Sequence, residues 1–215
     1  MNNFLISALI AWFMVHPFAL AGESVIKEPQ TRYIVTKFIT EETVRDLSLA
    51  LQNNPKLSEI EFRDSFGAWG NKIAITKTMI DLIEKNQLKT YAKGYCAFAC
   101  ATIFLMGKDP TLLTTSSGKA TRLILRPLMS ADEEFLKEET DEFFNKIVER
   151  SKGKIPVEFF SWLYQVKDEI GALYIWSEQK LPAKYIQFHA DSKSAFENIS
   201  DLTPLDLGIR VVNPE

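Results

Sequence analysis

Several residue types that would define special classes of protein are scarce in this chain. Its 215 residues include only two cysteines, two histidines, nine glycines and nine prolines. The low glycine and proline content excludes collagen-like and low-complexity architectures, and no internal repeat is visible. The chain carries 25 basic and 28 acidic residues, a net charge of −3, which argues against a disordered chain and against an electrostatically driven nucleic-acid binder. The sequence therefore indicates a compact protein with a sizeable core.

Motifs for metal ions and nucleotides are also missing. The sequence contains neither HExxH nor a set of cysteines and histidines at metal-binding spacing, and it has no GxGxxG or P-loop. We therefore expect no cofactor and no metal. No basic amphipathic stretch indicates binding at a membrane surface.

The first 21 residues have the pattern of a signal peptide. An apolar stretch from Phe4 to Val15 is followed by Ala19-Leu20-Ala21, which predicts cleavage before Gly22 and an exported, periplasmic protein of a bacterium. An uncleaved anchor is the alternative. No second long apolar run follows, so no membrane span is expected after cleavage. We expect residues 22–32 to form a loose lead-in and residues 33–215 a single domain.

The first half of that domain alternates between strand and helix patterns. Strands are predicted at 33–39, 57–62 and 88–92, with a helix that Thr40 caps and another over 71–86. Residues 65–70 are predicted to form a glycine-bearing loop, and residues 94–107 an apolar helix that small residues open. This alternation predicts an α/β fold with a parallel or mixed sheet.

Residues 64–68 and the segment from Gly94 to Gly107 resemble the Clp protease proteolytic subunit and the crotonase superfamily, especially their secreted, periplasmic ClpP-like relatives. Residues 64–68, Asp-Ser-Phe-Gly-Ala, stand where the family has N-S-P-G-G. The segment from Gly94 to Gly107 matches the family's nucleophile helix, and Cys96, Ala99 and Cys100 reproduce the C-x-S-A-C pattern of the secreted relatives. The serine position itself holds Phe98. Downstream, residues 123–127 match the strand that presents the catalytic histidine, and Arg126 stands in the histidine's place.

The resemblance implies a ClpP/crotonase-like fold of repeated strand-helix units with a mixed sheet and a helical C-terminal part. It also implies a degenerate active site with no catalytic residue left. Phe98 cannot attack a carbonyl, and the guanidinium of Arg126 stays protonated and cannot act as a base. The oxyanion-loop-like cleft would comprise Ser65, Phe66, Gly67, Ala68 and Trp69, with Ala68 replacing the family's second glycine. A homo-oligomer is expected as well, because crotonase-like folds commonly assemble.

The two cysteines and the one histidine beyond the leader leave alternatives open. In an exported protein Cys96 and Cys100 are candidates for a disulfide, but inert core thiols or a reactive thiol at a helix start also fit. His189 lies on the polar side of a predicted half-buried strand. A Ser65–His189–Asp191 constellation is conceivable, although Ser65 is more simply expected to hydrogen-bond within its own loop.

The second half of the domain has weaker patterns. Ser130 and Glu133 form a predicted capping box for an acidic helix ending near Arg150, and Pro156 is predicted to start another helix. That second helix is apolar nearly all round, so it either fills the core or packs on another subunit. Residues 171–176 are predicted to pair as a strand with residues 184–189, and residues 202–212 look like the family's C-terminal finish.

Three functions are consistent with these observations. The first is a pseudoenzyme that binds a peptide or protein partner through the former cleft. The second is an active periplasmic hydrolase or peptidase that uses Cys96, Cys100 or Ser65. The third is an unrelated interaction protein of the cell envelope.

Overall fold

The structure is a computed structural model that describes residues 31–70, 72–114, 119–130, 135–179 and 182–213. The predicted signal peptide, residues 1–21, lies outside the described residues, as does most of the predicted lead-in. Within the described ranges the chain forms one nine-stranded sheet and five helices. No helix in these ranges is both long and apolar enough to cross a membrane.

The elements follow one another as alternating strands and helices, with an antiparallel group near the end. The strands are β1 (Arg32–Ile39), β2 (Glu59–Ala68), β3 (Lys89–Ala97), β4 (Lys108–Leu113), β5 (Arg122–Leu125), β6 (Ala172–Trp176), β7 (Ile186–His189), β8 (Glu197–Ser200) and β9 (Arg210–Val212). The helices are α1 (Glu41–Asn53), α2 (Lys72–Lys85), α3 (Ala99–Leu105), α4 (Lys137–Arg150) and α5 (Glu158–Leu163).

The sheet combines a parallel half with an antiparallel half. Its main path runs β1-β2-β3-β5-β6-β7-β8, and β4 branches from β3 to pair with β9. Pairings among β1, β2, β3, β4, β5 and β9 are parallel, whereas β5, β6, β7 and β8 pair antiparallel. The predicted mixed α/β sheet is therefore confirmed.

The parallel half has a covered face and an open face. Helices α1, α2 and α3 pack on the covered face, where apolar side chains such as those of Val35, Ile60 and Phe62 are buried. Along β2, Glu59 and Glu61 alternate with Ile60 and Phe62. They point to the opposite side of the sheet, because neighbouring strand residues face opposite ways. We call that second side the open face.

The branch at β3 determines which strand lies beside the start of α3. The first part of β3 pairs with β4, and its last three residues, from Tyr95 to Ala97, pair with β5. Gly94 lies between the two parts at φ +78°, and its N–H donates a 3.0 Å hydrogen bond to Thr121 Oγ1. This positive φ favours glycine, and a Cβ atom there would also displace the Asp64 carboxylate. As a result, β5 runs directly alongside the junction of β3 and α3.

The first half of the chain confirms the predicted order of elements, but the predicted loop at 65–70 is wrong. Strand β2 continues to Ala68 because its last residues pair with the end of β1. The register shifts at Lys37 and Asp64, both of which have positive φ, so each strand contains an irregularity at the same level. This shift reverses the inward and outward alternation, and it turns Ser65 inward and Phe66 outward.

The predicted helix over 94–107 is also too long. Residues up to Ala97 belong to β3, and only Ala99–Leu105 form α3. Of the small residues at the start of this segment, Ala97 ends the strand, whereas Ala99 and Ala101 lie in the helix. The strand residues from Tyr95 to Ala97 pair with β5, and the helical periodicity of the sequence does not reveal this pairing.

The second half corrects two helix boundaries. The capping box of Ser130 and Glu133 is wrong, because α4 begins at Lys137 after an antiparallel bridge between Met129 and Phe135; Glu133 itself lies outside the described residues. The helix predicted from Pro156 is α5, only six residues long. Its aromatic side chains are used within the chain, where Phe160 stacks on Phe144 with ring centroids 4.1 Å apart. Core burial thus accounts for the apolar surplus of this helix.

The pairing of residues 171–176 with residues 184–189 is confirmed as antiparallel β6 and β7. The half-buried strand predicted around His189 is wrong in detail, because all four residues of β7 are buried. The C-terminal finish contributes β9, which pairs with β4.

Candidate functional site

A groove lies at the C-terminal ends of the parallel strands, where ligands of open α/β sheets commonly bind. It consists of three adjoining cavities of 160, 480 and 410 Å³, all of which are lined by Lys72 and Met129. We call it the elbow groove, because its innermost cavity is centred on the sharp turn at Phe98. The side chains that line this innermost cavity are those of Phe66, Ala68, Lys72, Phe98, Ala99, Arg126, Pro127, Leu128 and Met129.

Phe98 joins β3 to α3 through a strained backbone. Its φ of 59° and ψ of −122° lie in a region that residues with a side chain rarely adopt. The Phe98 N–H donates a 2.6 Å hydrogen bond to the carbonyl of Ile124, and the Phe98 carbonyl accepts one from Thr102 N–H. These contacts hold the turn in place and aim the ring out of the protein, where it is 38% exposed.

Gly67 allows β2 to come against the start of α3. A Cβ atom at Gly67 would lie 2.8 Å from the carbonyl oxygen of Ala97 and 2.9 Å from the amide nitrogen of Ala99. Its φ of +96° also favours glycine. The glycine of the predicted cleft is therefore needed for close backbone approach to the turn.

A disulfide spans the same turn. Cys96 and Cys100 are bonded, with Cα atoms 5.3 Å apart, so the end of β3 is covalently tied to the first turn of α3. Both residues are fully buried. The disulfide prediction is confirmed, and neither thiol is free to act as a nucleophile.

Arg126 and Phe98, predicted from separate segments, meet in the groove. The guanidinium carbon of Arg126 lies 5.4 Å from the centroid of the Phe98 ring, a cation–π arrangement. Arg126 also donates hydrogen bonds to the backbone carbonyls of Asp168, at 2.9 Å, and Glu169. The arginine is thus oriented by carbonyl groups, and it forms one wall of the cavity above the ring.

The loop that supplies those carbonyls is organised by the Asp168 side chain. Its carboxylate accepts hydrogen bonds from the backbone N–H groups of Ser192 at 2.7 Å and of Ile170 and Gly171 at 3.0 Å. These bonds, that from Ser192 first, lower the pKa of Asp168 to about 2. Asp168 therefore stays ionised, and it holds the loop that orients Arg126.

The predicted cleft residues do not all reach the groove. Phe66 and Ala68 line the innermost cavity, Trp69 lines the second, and Gly67 supports the turn as described. Ser65, by contrast, is fully buried, and its Oγ has no hydrogen-bond partner among the described residues. The expectation that Ser65 hydrogen-bonds within its own loop is therefore wrong, because the shifted register of β2 turns the side chain into the sheet.

The Ser65–His189–Asp191 constellation does not form. Ser65 belongs to β2 and His189 to β7, and three strands lie between them, which corresponds to about 19 Å at the usual strand spacing. His189 instead hydrogen-bonds through Nε2 to the carbonyl of Ser194, at 3.0 Å, and stacks on Phe196. Its role in the structure is to pack the end of the antiparallel half.

Other groove residues were not predicted from the sequence. Lys72 at the start of α2 and Met129 after β5 line all three cavities, and the Asp168 and Glu169 carbonyls position Arg126. Backbone carbonyls leave no signal in a sequence. Lys72 follows Trp69 and Gly70 of the predicted loop closely in the sequence, and this closeness is a signal that could have placed Lys72 near the groove.

Comparison with known proteins identifies the fold. No protein-family model and no curated protein matches the chain. Among solved structures, the ClpP protease catalytic domain from Plasmodium falciparum superposes on it with a TM-score of 0.50 and 15% identity, covering 68% of this chain and 76% of that one. A mutant ClpP1 from Listeria monocytogenes gives a TM-score of 0.47 and 21% identity over 61% of this chain and 77% of that one. The superposition on the Plasmodium falciparum domain supports a ClpP-like fold for this chain.

Proposed function

We propose that this protein is a catalytically degenerate, exported relative of ClpP whose elbow groove binds an apolar segment of a peptide or protein partner. The observation that carries the proposal is the pairing of Phe98 with Arg126. Phe98 occupies a strained turn that the sequence resemblance assigns to a nucleophile, and Arg126 lies over its ring.

Neither residue can take part in acyl transfer as nucleophile or base. A phenyl ring has no atom that attacks a carbonyl, and a guanidinium remains protonated at any working pH. The thiols nearest the turn are joined to each other, and the buried Ser65 hydroxyl has no hydrogen-bond partner in the part of the chain that the structure describes. The observations therefore favour binding over the alternative of an active hydrolase.

The strained turn supports a functional role for this groove. A backbone in such a region costs on the order of 1–3 kcal/mol, and it persists only where the surrounding structure enforces it. Here Gly67, the disulfide and the hydrogen bond to Ile124 all enforce it. The result is an outward-pointing ring at the base of the groove.

The surface of the groove suits an apolar segment with polar flanks. Phe66, Phe98 and Trp69 are 43%, 38% and 65% exposed, which is unusual for large aromatic side chains and typical of contact surfaces. Lys72 and Arg126 add positive charge at the rim. Export is supported by the predicted signal peptide and by the disulfide, since disulfides persist in oxidising compartments.

A peptide-display selection tests this proposal. Random peptides selected on the wild-type protein would be measured against Phe98→Ala and Trp69→Ala, and Leu205→Ala is the control because Leu205 is similarly exposed, at 69%, but lies outside the groove. We expect each groove variant to weaken binding by about tenfold or more, and the control to bind like wild type. Equal affinity for all four proteins would contradict the proposal.

A further inference from the structure

A second aromatic surface lies on the antiparallel half, apart from the elbow groove. Tyr174 and Trp176 project from the same side of β6, and their rings stack at 5.9 Å. Phe196 packs edge-on against Tyr174 at 5.0 Å. The Trp176 and Phe196 rings border a cavity of 430 Å³, a volume within the range of small-molecule sites.

Arg122 stands beside these rings without an anionic partner. It pairs with Tyr95 on one side and Trp176 on the other within the sheet, and its guanidinium carbon lies 5.4 Å from the centroid of a Trp176 ring. Among the described residues, the guanidinium forms no ion pair within 4.0 Å, and its Nε is buried without a hydrogen-bond acceptor. The indole N–H of Trp176 is likewise buried without an acceptor.

The other polar groups of this cavity are largely occupied. Lys184 forms a 2.6 Å ion pair with Asp201, and the Gln187 amide donates a 3.1 Å hydrogen bond to Asn198 Oδ1. Glu178 also lines the cavity, but it makes no ion pair with Arg122. The groups left unsatisfied, Arg122 and the Trp176 indole, are therefore both hydrogen-bond donors that cannot accept.

We propose that this cavity, which we call the Arg122 pocket, binds a small organic carboxylate carried on a planar aromatic body. Arg122 lines the cavity and has no ion-pair partner among the described residues, and its guanidinium fork suits a carboxylate. The Trp176 and Phe196 rings offer apolar faces on which a planar body can pack. The proposal does not depend on the function of the elbow groove.

Titration with 1-naphthoate tests the Arg122 pocket in the purified protein. Nitrogen-15 labelling of tryptophan allows the Trp176 indole N–H resonance, assigned from its absence in Trp176→Phe, to be followed during the titration. We expect naphthoate to shift this resonance in a saturable way, and the isosteric but neutral 1-naphthamide to leave it unchanged. Arg122→Gln should weaken naphthoate binding by about tenfold or more, because the charged partner is lost.

Arg45→Gln is the matched control, since Arg45 lies on the exposed surface of α1 and is absent from the cavity. It should bind naphthoate like wild type. Sulfate separates an inorganic anion from an organic carboxylate, and we expect it to bind more weakly than naphthoate because it lacks the ring. The proposal is overturned if naphthamide binds as tightly as naphthoate, if sulfate matches naphthoate, or if Arg122→Gln binds unchanged.

Discussion

The covered and open faces of the parallel half are held together by different forces. On the covered face, apolar side chains such as Ile60 and Phe62 are fully buried beneath helices. On the open face, Glu61 is also buried, at 1% exposure, but it lies between Arg32 and Arg63, with hydrogen bonds of 2.8 and 2.5 Å. Hydrophobic burial thus stabilises one face. Ion pairs stabilise the other, and solvent partly screens them because both arginines are partly exposed.

The covered and open faces should therefore tolerate amino-acid substitutions unequally. Close packing leaves the covered face no space for added atoms, so changes around the Phe98 turn should be costly. The arginines that pair with Glu61 on the open face are partly exposed to water, so these ion pairs should contribute less than the covered core, and their contribution should depend on pH. Stability measurements on matched variants test this difference between the two faces.

The largest effect is expected at Gly67. Gly67→Ala would place a Cβ atom 2.8 Å from a backbone oxygen at φ +96°, and we expect it to lower the free energy of unfolding by about 3 kcal/mol. Gly70→Ala is the control, because Gly70 has φ +97° but its nearest contact would be 3.8 Å away. It should cost only about 1 kcal/mol, from backbone strain alone. Equal losses in urea denaturation would contradict the close packing described here.

Removal of the disulfide should have the next largest effect. Cys96→Ala combined with Cys100→Ala releases a five-residue loop, for which the chain-entropy relation gives a loss of about 2 kcal/mol. Thermal denaturation with and without a reducing agent provides the check. Reductant should destabilise the wild type by a similar amount and leave the double variant unchanged. A wild type that is insensitive to complete reduction would show that the bond does not stabilise the turn.

The smallest effect is expected on the open face, at Glu61. Burial alone would raise the pKa of Glu61, but hydrogen bonds from Arg63 and Arg32 outweigh this effect and hold the pKa below its usual range. Glu61→Gln should therefore cost about 1.5 kcal/mol at neutral pH. Glu42→Gln removes an exposed pair with Arg45 and should change the stability by less than about 0.5 kcal/mol.

The pH dependence of Glu61 has a definite sign. Because its pKa is lower in the folded state, its contribution is complete above the pKa of the unfolded carboxyl, about 4.3, and is lost as the pH falls through the folded value. The stability difference between wild type and Glu61→Gln should therefore shrink below about pH 4. A difference that grows on acidification would contradict the ion-pair assignment.

Much of the covered face could be predicted from the sequence. The Ile60 and Phe62 alternation and the Thr40 cap are local signals, and the structure confirms the elements that they predicted. The extent of β2 and β3 could not be predicted in this way, because it depends on pairing with β1 and β5. The late start of α4 likewise follows from the bridge between Met129 and Phe135.

The candidate site was predicted in part. The motif resemblance brought Phe98, Arg126 and the bonded cysteines to attention, and the structure places all of them at one turn. The inward orientation of Ser65 was not predictable, since it results from a register shift between strands. Nor was the Arg122 pocket, whose residues come from strands that are distant in the sequence but adjacent in the sheet.

Intact mass spectrometry tests the central claim most directly. The native protein would be treated with a broadly reactive fluorophosphonate and, separately, with a thiol alkylating agent. We predict that neither reagent adds to the native chain, and that alkylation occurs at both cysteines only after reduction. Stoichiometric addition of one fluorophosphonate, or of one alkyl group without reduction, would contradict the account, because it would reveal a nucleophile that the turn at Phe98 does not provide.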